Sequence, residues 1–469
     1  MNLKIYKLVK LPALTTFAVC LVTAFGISLL DTQPAGAEDW PTYMHDNARS
    51  GITTEAIDLQ NLNNSDWVYT STMPPQVAWG SGQPWDAWHT VSQVPMRDFD
   101  FAFFVTVVND RLYFGSSVTD SVHCLDVQTG EQLWFYRTNG PVRFPPTVYD
   151  GKLYFGSDDG YAYCIDASNQ TLIWKFRPVQ DDRLLCNNSK LIPMYPIRSG
   201  TAIMDDKVYF AASLVPWKSS YLCSVDALNG SSSGTGLYVS SGGSTPMAAI
   251  LVSPSKIYLT QGNRYPYVFN RSDGSGAGTL GTYGNGGCYA LLTSDTGYAY
   301  GHGRRQASGY ELRTFNDTIA TQSDGRYMVV SGDQAYILFG NKIKAINRSG
   351  GATVWENTSC DCPYSLIMAG NVLFAGGNNQ VKAYSTTNGQ ELWSGAVNGH
   401  ARGLAVADQR LFVSTDAGNI HMFGNTFLSE DFNKNGIVDL PDLMLLLDTY
   451  LNCTNPNDED CRELSPKTN

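Results

Sequence analysis

A short run built from a polar residue, an apolar residue, one or two aromatics and a small residue recurs along this chain, and the recurrence restricts the fold more than any other feature. It reads RLYFGS around Tyr113, KLYFGS around Tyr154, KVYFAA around Tyr209, KIYLTQ around Tyr258, GYAYGH around Tyr298, QAYILF around Tyr336, NVLFAG around Leu373 and RLFVST around Phe412. Most copies lie about forty residues apart, the length of a four-stranded propeller blade. The clearest unit spans residues 148–176, where Asp150-Gly151, Asp158-Asp159-Gly160 and Ser168 to Gln170 supply turns between apolar and aromatic runs. One such meander cannot bury both faces, so it requires neighbours of its own kind.

The outer strand of the unit also recurs, ending at Trp134, Trp174, Trp355 and Trp393. The last copy, which ends near Gly424, stops before any such strand, and the missing piece stands near the front as NLNNSDWVYT, with Trp67. The pattern predicts an all-β fold: an eight-bladed β-propeller of four-stranded blades whose N-terminal strand completes the final blade and leaves no open sheet edge. The two wider gaps between copies, Asp181 to Pro196 and Ser231 to Ser244, read as loop insertions on one rim.

Around this body the chain divides into three. Residues 1–37 read as a secretory signal: Lys4, Lys7 and Lys10 precede the apolar run Leu11 to Leu30, and Ala35-Gly36-Ala37 offers a cleavage site before Glu38. An uncleaved anchor is the competing reading of that run, and lipid on Cys20 a weaker one. The expected location is therefore periplasmic, cell-envelope or extracellular. Residues 38–427 form the propeller and residues 428–469 a separate tail. A net charge of −11 without a basic run argues against nucleic acid as a partner.

An exported chain can carry disulfides, but these cysteines form no framework. Cys124 and Cys164, in HCLD and YCID, occupy one place in successive repeats and read as small buried hydrophobes. Cys360 and Cys362 either pair or stay free, and Cys453 with Cys461 could close a small loop. Asp126, Asp166 and Asp226 recur before the third turn, where a carboxylate bonds turn backbone rather than acting as an acid or base. The six histidines, His45, His89, His123, His302, His400 and His421, show no metal-ligand spacing.

The pattern CLDVQTGEQLW at 124–134, echoed in CIDASNQTLIW and KAYSTTNGQELW, resembles the tryptophan-docking repeat of the quinoprotein-like (PQQ-like) β-propellers, and WPTYMHDNARSGIT at 40–53 is similar to the leader that precedes such repeats. The resemblance covers residues 40–425 and implies that the tryptophans pack between blades. Its enzymatic branch, the PQQ-dependent dehydrogenases, holds the quinone over a disulfide between adjacent cysteines beside calcium and a catalytic Asp. This sequence has no adjacent pair; Cys360-Asp361-Cys362 carries one residue too many. The resemblance thus implies the non-catalytic branch, with no bound PQQ and no catalytic residues, a likeness of fold and export.

Two features could form a binding surface. Arg143 and Arg198 each stand seven residues before the Asp that opens a first turn, near the channel, where they read either as a ring for an anionic ligand or as solvated loop residues. The aromatic insert with Trp79, Trp85 and Trp88 reads either as a stacking surface for sugar or peptide or as a cap over one face of the ring.

The tail is chemically distinct, with nine acidic residues against Lys434, Arg462 and Lys467. Counting from Asp431 puts Asn433 at position 3, Asn435 at 5, Gly436 at 6, Ile437 at 7, Asp439 at 9 and Asp442 at 12, the ligand positions of an EF-hand-type calcium loop. LMLLLDTYL follows as an apolar helix started by Pro441 and Asp442. Asp at position 12 before a Leu-rich helix resembles a dockerin repeat, which implies a cohesin-like partner; only a remnant, NPNDEDC, stands where a second repeat would be. The sequence therefore predicts an exported non-catalytic propeller that engages a protein or polysaccharide and is attached to an assembly by a calcium-stabilised tail. A divergent PQQ-dependent dehydrogenase and a component of a polysaccharide-degrading complex are the alternatives.

Overall fold

The computed structural model describes residues 38–445 apart from 63–64, 79–84, 87–90, 93–101, 188, 216–217, 233–235, 243–244, 247, 262–265, 281–288, 302–310, 316–321, 324, 425–439 and 442. Short strands separated by turns account for nearly all of it. They assemble into six four-stranded meanders and one eight-stranded sheet, besides two isolated hairpins. The eight-stranded sheet is two such meanders sharing one strand, Glu391–Ala407, the fourth of one and the first of the next, with Ile52–Thr53 paired parallel to Ser365–Ala369 as the eighth strand. The first strands of successive sheets lie beside one another around the axis, and each sheet packs its faces on its neighbours. This is a β-propeller, the fold class that the repeat predicts.

All eight recurring runs fall on the second strand of their sheets, from Arg111–Ser116 to Arg410–Thr415. The strand Ser65–Thr70 pairs antiparallel with Asn419–Phe423, Val68 opposite His421, and completes the last sheet as expected. Two expectations about the insertions are corrected. Residues 181–196 are not a plain loop: Leu184–Asn187 and Lys190–Pro193 form a hairpin, with Ile192 and Asn187 buried and Leu184 and Leu191 facing solvent. Residues 231–244 contain the fourth strand Leu237–Gly242 of their sheet. A fourth strand has only one neighbour, so backbone pairing holds it even where its sequence is rich in Ser and Gly.

The tryptophans show how the units lock. The residue directly opposite each one is small: Cys124 faces Trp134, Cys164 faces Trp174, Ala345 faces Trp355 and Ala383 faces Trp393. A register shift follows in each of these ladders, a bulge that turns the strand into the Asp turn. The indole then reaches the next sheet. Trp174 Nε1 donates to the Ala227 carbonyl at 2.9 Å, Trp355 to Thr386 at 2.8 Å and Trp67 to Val127 at 2.8 Å. Asp126, Asp166 and Asp226 cap the turns: the Asp126 carboxylate accepts from the Gln128 and Thr129 amides at 2.9 Å, and the other two repeat the arrangement. The described cysteines Cys124, Cys164, Cys186, Cys223, Cys360 and Cys362 are free thiols, Cys186 alone of these being exposed.

Helical backbone is described at residues 440–441 and 443–445, where the sequence predicts the tail helix, and Leu440, Leu443, Met444 and Leu445 are exposed there. Among the described residues no helix is long and apolar enough to cross a membrane. The signal segment and Cys453 with Cys461 lie outside the described residues.

Candidate functional site: a plugged channel and its open mouth

The inner edge of every blade presents backbone groups that no further strand can satisfy, so something must meet them. The leader, residues 40–53, does so. Trp40 exchanges two backbone hydrogen bonds with Val107. Val148 donates to the Pro41 carbonyl at 2.8 Å, Val252 to Asn47 at 3.2 Å, Leu292 to Ala48 at 2.8 Å and Met368 to Gly51 at 2.8 Å. The Ile203 amide bonds the Asn47 side chain at 3.3 Å. The leader is thereby stitched to the innermost strands of six different sheets. It can coil this tightly because Met44, His45, Arg49 and Gly51 all take positive φ, with hydrogen bonds such as Gly51 N to Met44 O closing the turns.

Arg49 is the centre of the plug. It is 1% exposed, and its guanidinium donates to the carbonyls of Ile250, Thr201, Tyr43 and Asp46 and to the Thr42 hydroxyl, at 2.9 to 3.1 Å. Burial pulls its pKa down to about 10, against the opposing charge of Asp46, so it stays a cation. Five hydrogen bonds to neutral oxygens and one nearby carboxylate satisfy a charge that would otherwise be prohibitive to bury.

The leader bonds the ends at which the innermost strands finish, so other residues meet the ends at which they start. Between the two lies a small cavity of about 20 Å³, floored by Trp40, Tyr43 and Met44 and walled by Phe104, Tyr327 and Arg402 among others. Tyr43 packs edge-on against Phe104 and Phe144, with ring centres 4.8 and 5.2 Å apart. Above it, Arg402 lies 5.0 Å from the centre of the Tyr364 ring and donates to Asp416 at 3.3 Å. His400 touches the same Tyr364 ring at 4.5 Å and reaches Asp416 through its amide at 2.8 Å and its Nδ1 at 2.6 Å. Burial pushes the Asp416 pKa up, but the His400 hydrogen bonds and the Arg402 charge outweigh it and hold the carboxylate ionised. A cation resting on an aromatic face in a partly dry mouth suits a carboxylate, a carbonyl or a sugar hydroxyl.

Arg143 and Arg198 stand at this same end, before the innermost strands Thr147–Tyr149 and Ala202–Met204. The solvated-loop reading of them is corrected, because both are buried. They converge on Asp158, which is fully buried: Arg143 Nε reaches it at 2.9 Å and Arg198 at 2.8 Å through both Nε and Nη2. Burial raises the Asp158 pKa, and the two guanidiniums more than reverse that. Arg198 also donates to Asn187 of the hairpin at 2.8 Å, and Lys190 of the hairpin bonds Asp120 and the Ser117 carbonyl. The arginines therefore pin the hairpin and two neighbouring sheets together. Of the aromatic insert, Trp85 opens a two-residue strand paired with Val91–Ser92, while Trp79 and Trp88 lie outside the described residues.

Sequence reasoning placed Arg143 and Arg198 at one site without Asp158 to join them. It missed Arg49, Tyr364, Arg402 and Asp416; of this cluster only His400 is named there, among the histidines without metal-ligand spacing. The calcium-loop residues Asp431, Asn433, Asn435, Ile437, Asp439 and Asp442 lie outside the described residues.

Comparison with known proteins meets this geometry at the repeats. The family described as outer membrane protein assembly factor BamB, a PQQ-like repeat family, matches residues 77–238 and 316–426, more than half of the chain. The chain belongs to this family. Members of the wider PQQ-like fold appear among solved structures. A quinohemoprotein alcohol dehydrogenase, ADHIIG from Pseudomonas putida HK5, is 13% identical with a TM-score of 0.56, covering 82% of this chain and 80% of its own. A europium-containing methanol dehydrogenase is 11% identical with a TM-score of 0.55, covering 84% and 99%. The computationally designed protein Ika8 is 12% identical with a TM-score of 0.53, covering 69% and 96%. At such identities the likeness is one of fold. No curated protein matches the chain. The described lining of the cavity holds neither a cysteine nor a carboxylate.

Proposed function

We propose that this chain is an exported, non-catalytic binding or scaffold propeller that engages a protein or polysaccharide at the mouth of its channel, while a calcium-stabilised tail attaches it to an assembly. The observation that carries the reading is the channel itself: its floor is a leader stitched into six sheets, and its described walls offer aromatic rings, one guanidinium and a Ser365 hydroxyl tied to the Ala401 carbonyl, without a pair of carboxylates. Such a surface binds more readily than it reacts. The family's description as an assembly factor supports the same direction. For the tail, the spacing Asp431 to Asp442 supports calcium, and its dockerin-like character supports a cohesin-like partner.

Pull-down with the intact protein, with and without chelator, tests both halves. The reading expects a partner that Arg402→Ala or Tyr364→Ala releases at the mouth, and a second attachment that chelator or Asp431→Ala releases at the tail. Tight uptake of PQQ with calcium and alcohol-dependent dye reduction would instead establish an enzyme. Binding on a glycan array that depends on Trp85 and Trp88 would favour the polysaccharide-degrading complex.

A further inference from the structure

Cys360 and Cys362 occupy the connection between two sheets, after the outer strand Thr353–Asn357 and before the innermost strand Ser365–Ala369. Both are fully buried free thiols. The residue between them, Asp361, takes a left-handed φ of 50°, which folds the backbone so that side chains two positions apart converge. The two side chains lie close enough to influence each other's titration. Their surroundings hold the turn firmly: the Cys360 and Asp361 amides both donate to the Asn341 carbonyl, the Tyr384 hydroxyl donates to the Cys360 carbonyl at 3.0 Å, and Gln380 donates to the Asp361 carbonyl at 3.2 Å. A Cβ added to Gly377 would stand 2.9 Å from the Cys362 sulfur, so that glycine makes room for it.

We infer that Cys360 and Cys362 form a redox-active dithiol that a small peroxide closes to a Cys360–Cys362 disulfide. The site does not depend on what the mouth binds. Two cysteines separated by one residue are otherwise an unusual way to fill a core, where a single small hydrophobe serves, as Ala345 and Ala383 do elsewhere in this fold. The Lys382 charge favours a thiolate at either sulfur. In the proposed sequence Cys360 attacks and Cys362 resolves.

As a thiolate, Cys360 attacks one oxygen of hydrogen peroxide. The O–O bond breaks, Cys360 becomes a sulfenic acid, and the departing hydroxide takes up the thiol's proton as water. Cys362 then loses its proton and attacks the Cys360 sulfur; the S–S bond forms, the S–O bond breaks, and a second water leaves. Two thiols and one peroxide give one disulfide and two waters. Peroxide is small enough to enter where a protein disulfide is not. The loop closed is very short, so the bond adds little chain-entropy stabilisation and remains reducible. It lies two residues before Tyr364, whose ring stands under Arg402 in the mouth.

The test uses the intact protein carrying Cys186→Ser, which removes the one exposed thiol among the described cysteines. It is treated with hydrogen peroxide, quenched, denatured, alkylated and mapped by mass spectrometry. The peptide containing residues 360–362 should lose both labels together, weigh two hydrogens less, and regain both labels after a dithiol reductant, while Cys124, Cys164 and Cys223 stay labelled. In Cys362→Ala the reaction should stop at a Cys360 sulfenic acid that a sulfenic-specific probe traps. Full labelling of both cysteines after peroxide, or oxygen added at Cys360 of the otherwise native chain without a disulfide, would overturn the inference. That measurement on the native pair stands even if the Cys362 variant does not fold.

Discussion

Trp67 donates through Nε1 to the Val127 carbonyl at 2.8 Å and lies flat against the turn in which Gly130 takes φ +70°. These residues belong to the last and first sheets of the ring, so the contact is where the propeller shuts. A Cβ on Gly130 would fall 2.5 Å from the indole. Gly151 has nearly the same φ, +67°, with nothing within 4 Å of the added carbon. Gly151→Ala should lower stability by about 1 kcal/mol, the strain of a left-handed alanine. Gly130→Ala should lower it by roughly 2–4 kcal/mol, because the indole must also move. Urea unfolding of the two variants separates the terms, and equal losses would mean that the indole contributes nothing at the closure.

Arg49 makes its five hydrogen bonds from inside the channel, and no other side chain can reach all of their acceptors. Arg49→Met should destabilise the protein by about 3–5 kcal/mol, by leaving several buried carbonyls unpartnered. The loss should begin at the leader, so limited proteolysis should cut within residues 40–53 well before the blades unfold. Simultaneous loss of leader and blades would show that the plug is not a separable element.

Asp158 has a folded pKa below its unfolded value near 4. Its contribution is therefore fully present above about pH 4 and disappears as the pH falls through the depressed folded value. Asp158→Asn should remove that contribution at neutral pH, at about 3–5 kcal/mol, since two buried guanidiniums lose their shared carboxylate. The variant's stability should also fall less steeply on acidification than that of the native protein.

Glu55 behaves in the opposite sense. It is fully buried, one oxygen accepts from the Gln409 amide, and the other is without a hydrogen bond. Burial raises its pKa to about 7. Because the folded state holds this proton more tightly, stability should decline as the pH rises from about 4 to 7 and level off above. Glu55→Gln should flatten that decline and be more stable than the native protein at pH 8 by about 2 kcal/mol, as thermal melts at pH 5 and 8 would reveal. An unchanged pH profile would place the ionised carboxylate in the folded state throughout.

The fold was legible because its determinants are local and repeated. A turn Asp, a small residue opposite an indole, and an aromatic second strand each act within about forty residues, so one unit predicts the others. Even the closing strand could be found, as the piece the last repeat lacks. The mouth was not legible. Asp158 lies in a turn that looks like any other Asp-Asp-Gly, and only the fold brings Arg143 and Arg198 to it from either side. Arg49 sits among polar leader residues whose spacing carries no strand or helix period, since its acceptors come from the leader itself and from two sheets far along the chain. The hairpin at 184–193 was mistaken for a loop because its pairing is satisfied within ten residues, without the repeat's aromatic signature.

The strand Ser65–Thr70 finds its partner only in Asn419–Phe423, near the other end of the propeller. On a ribosome or in a translocon it emerges hundreds of residues before that partner exists. Each intervening blade can fold on its predecessor, but the first strand must wait, an edge exposed to mispairing with neighbouring chains, until the last hairpin arrives. Synthesis order thus makes the closing step the slowest to begin, and a chain released early is an open crescent with two adhesive ends rather than a smaller ring.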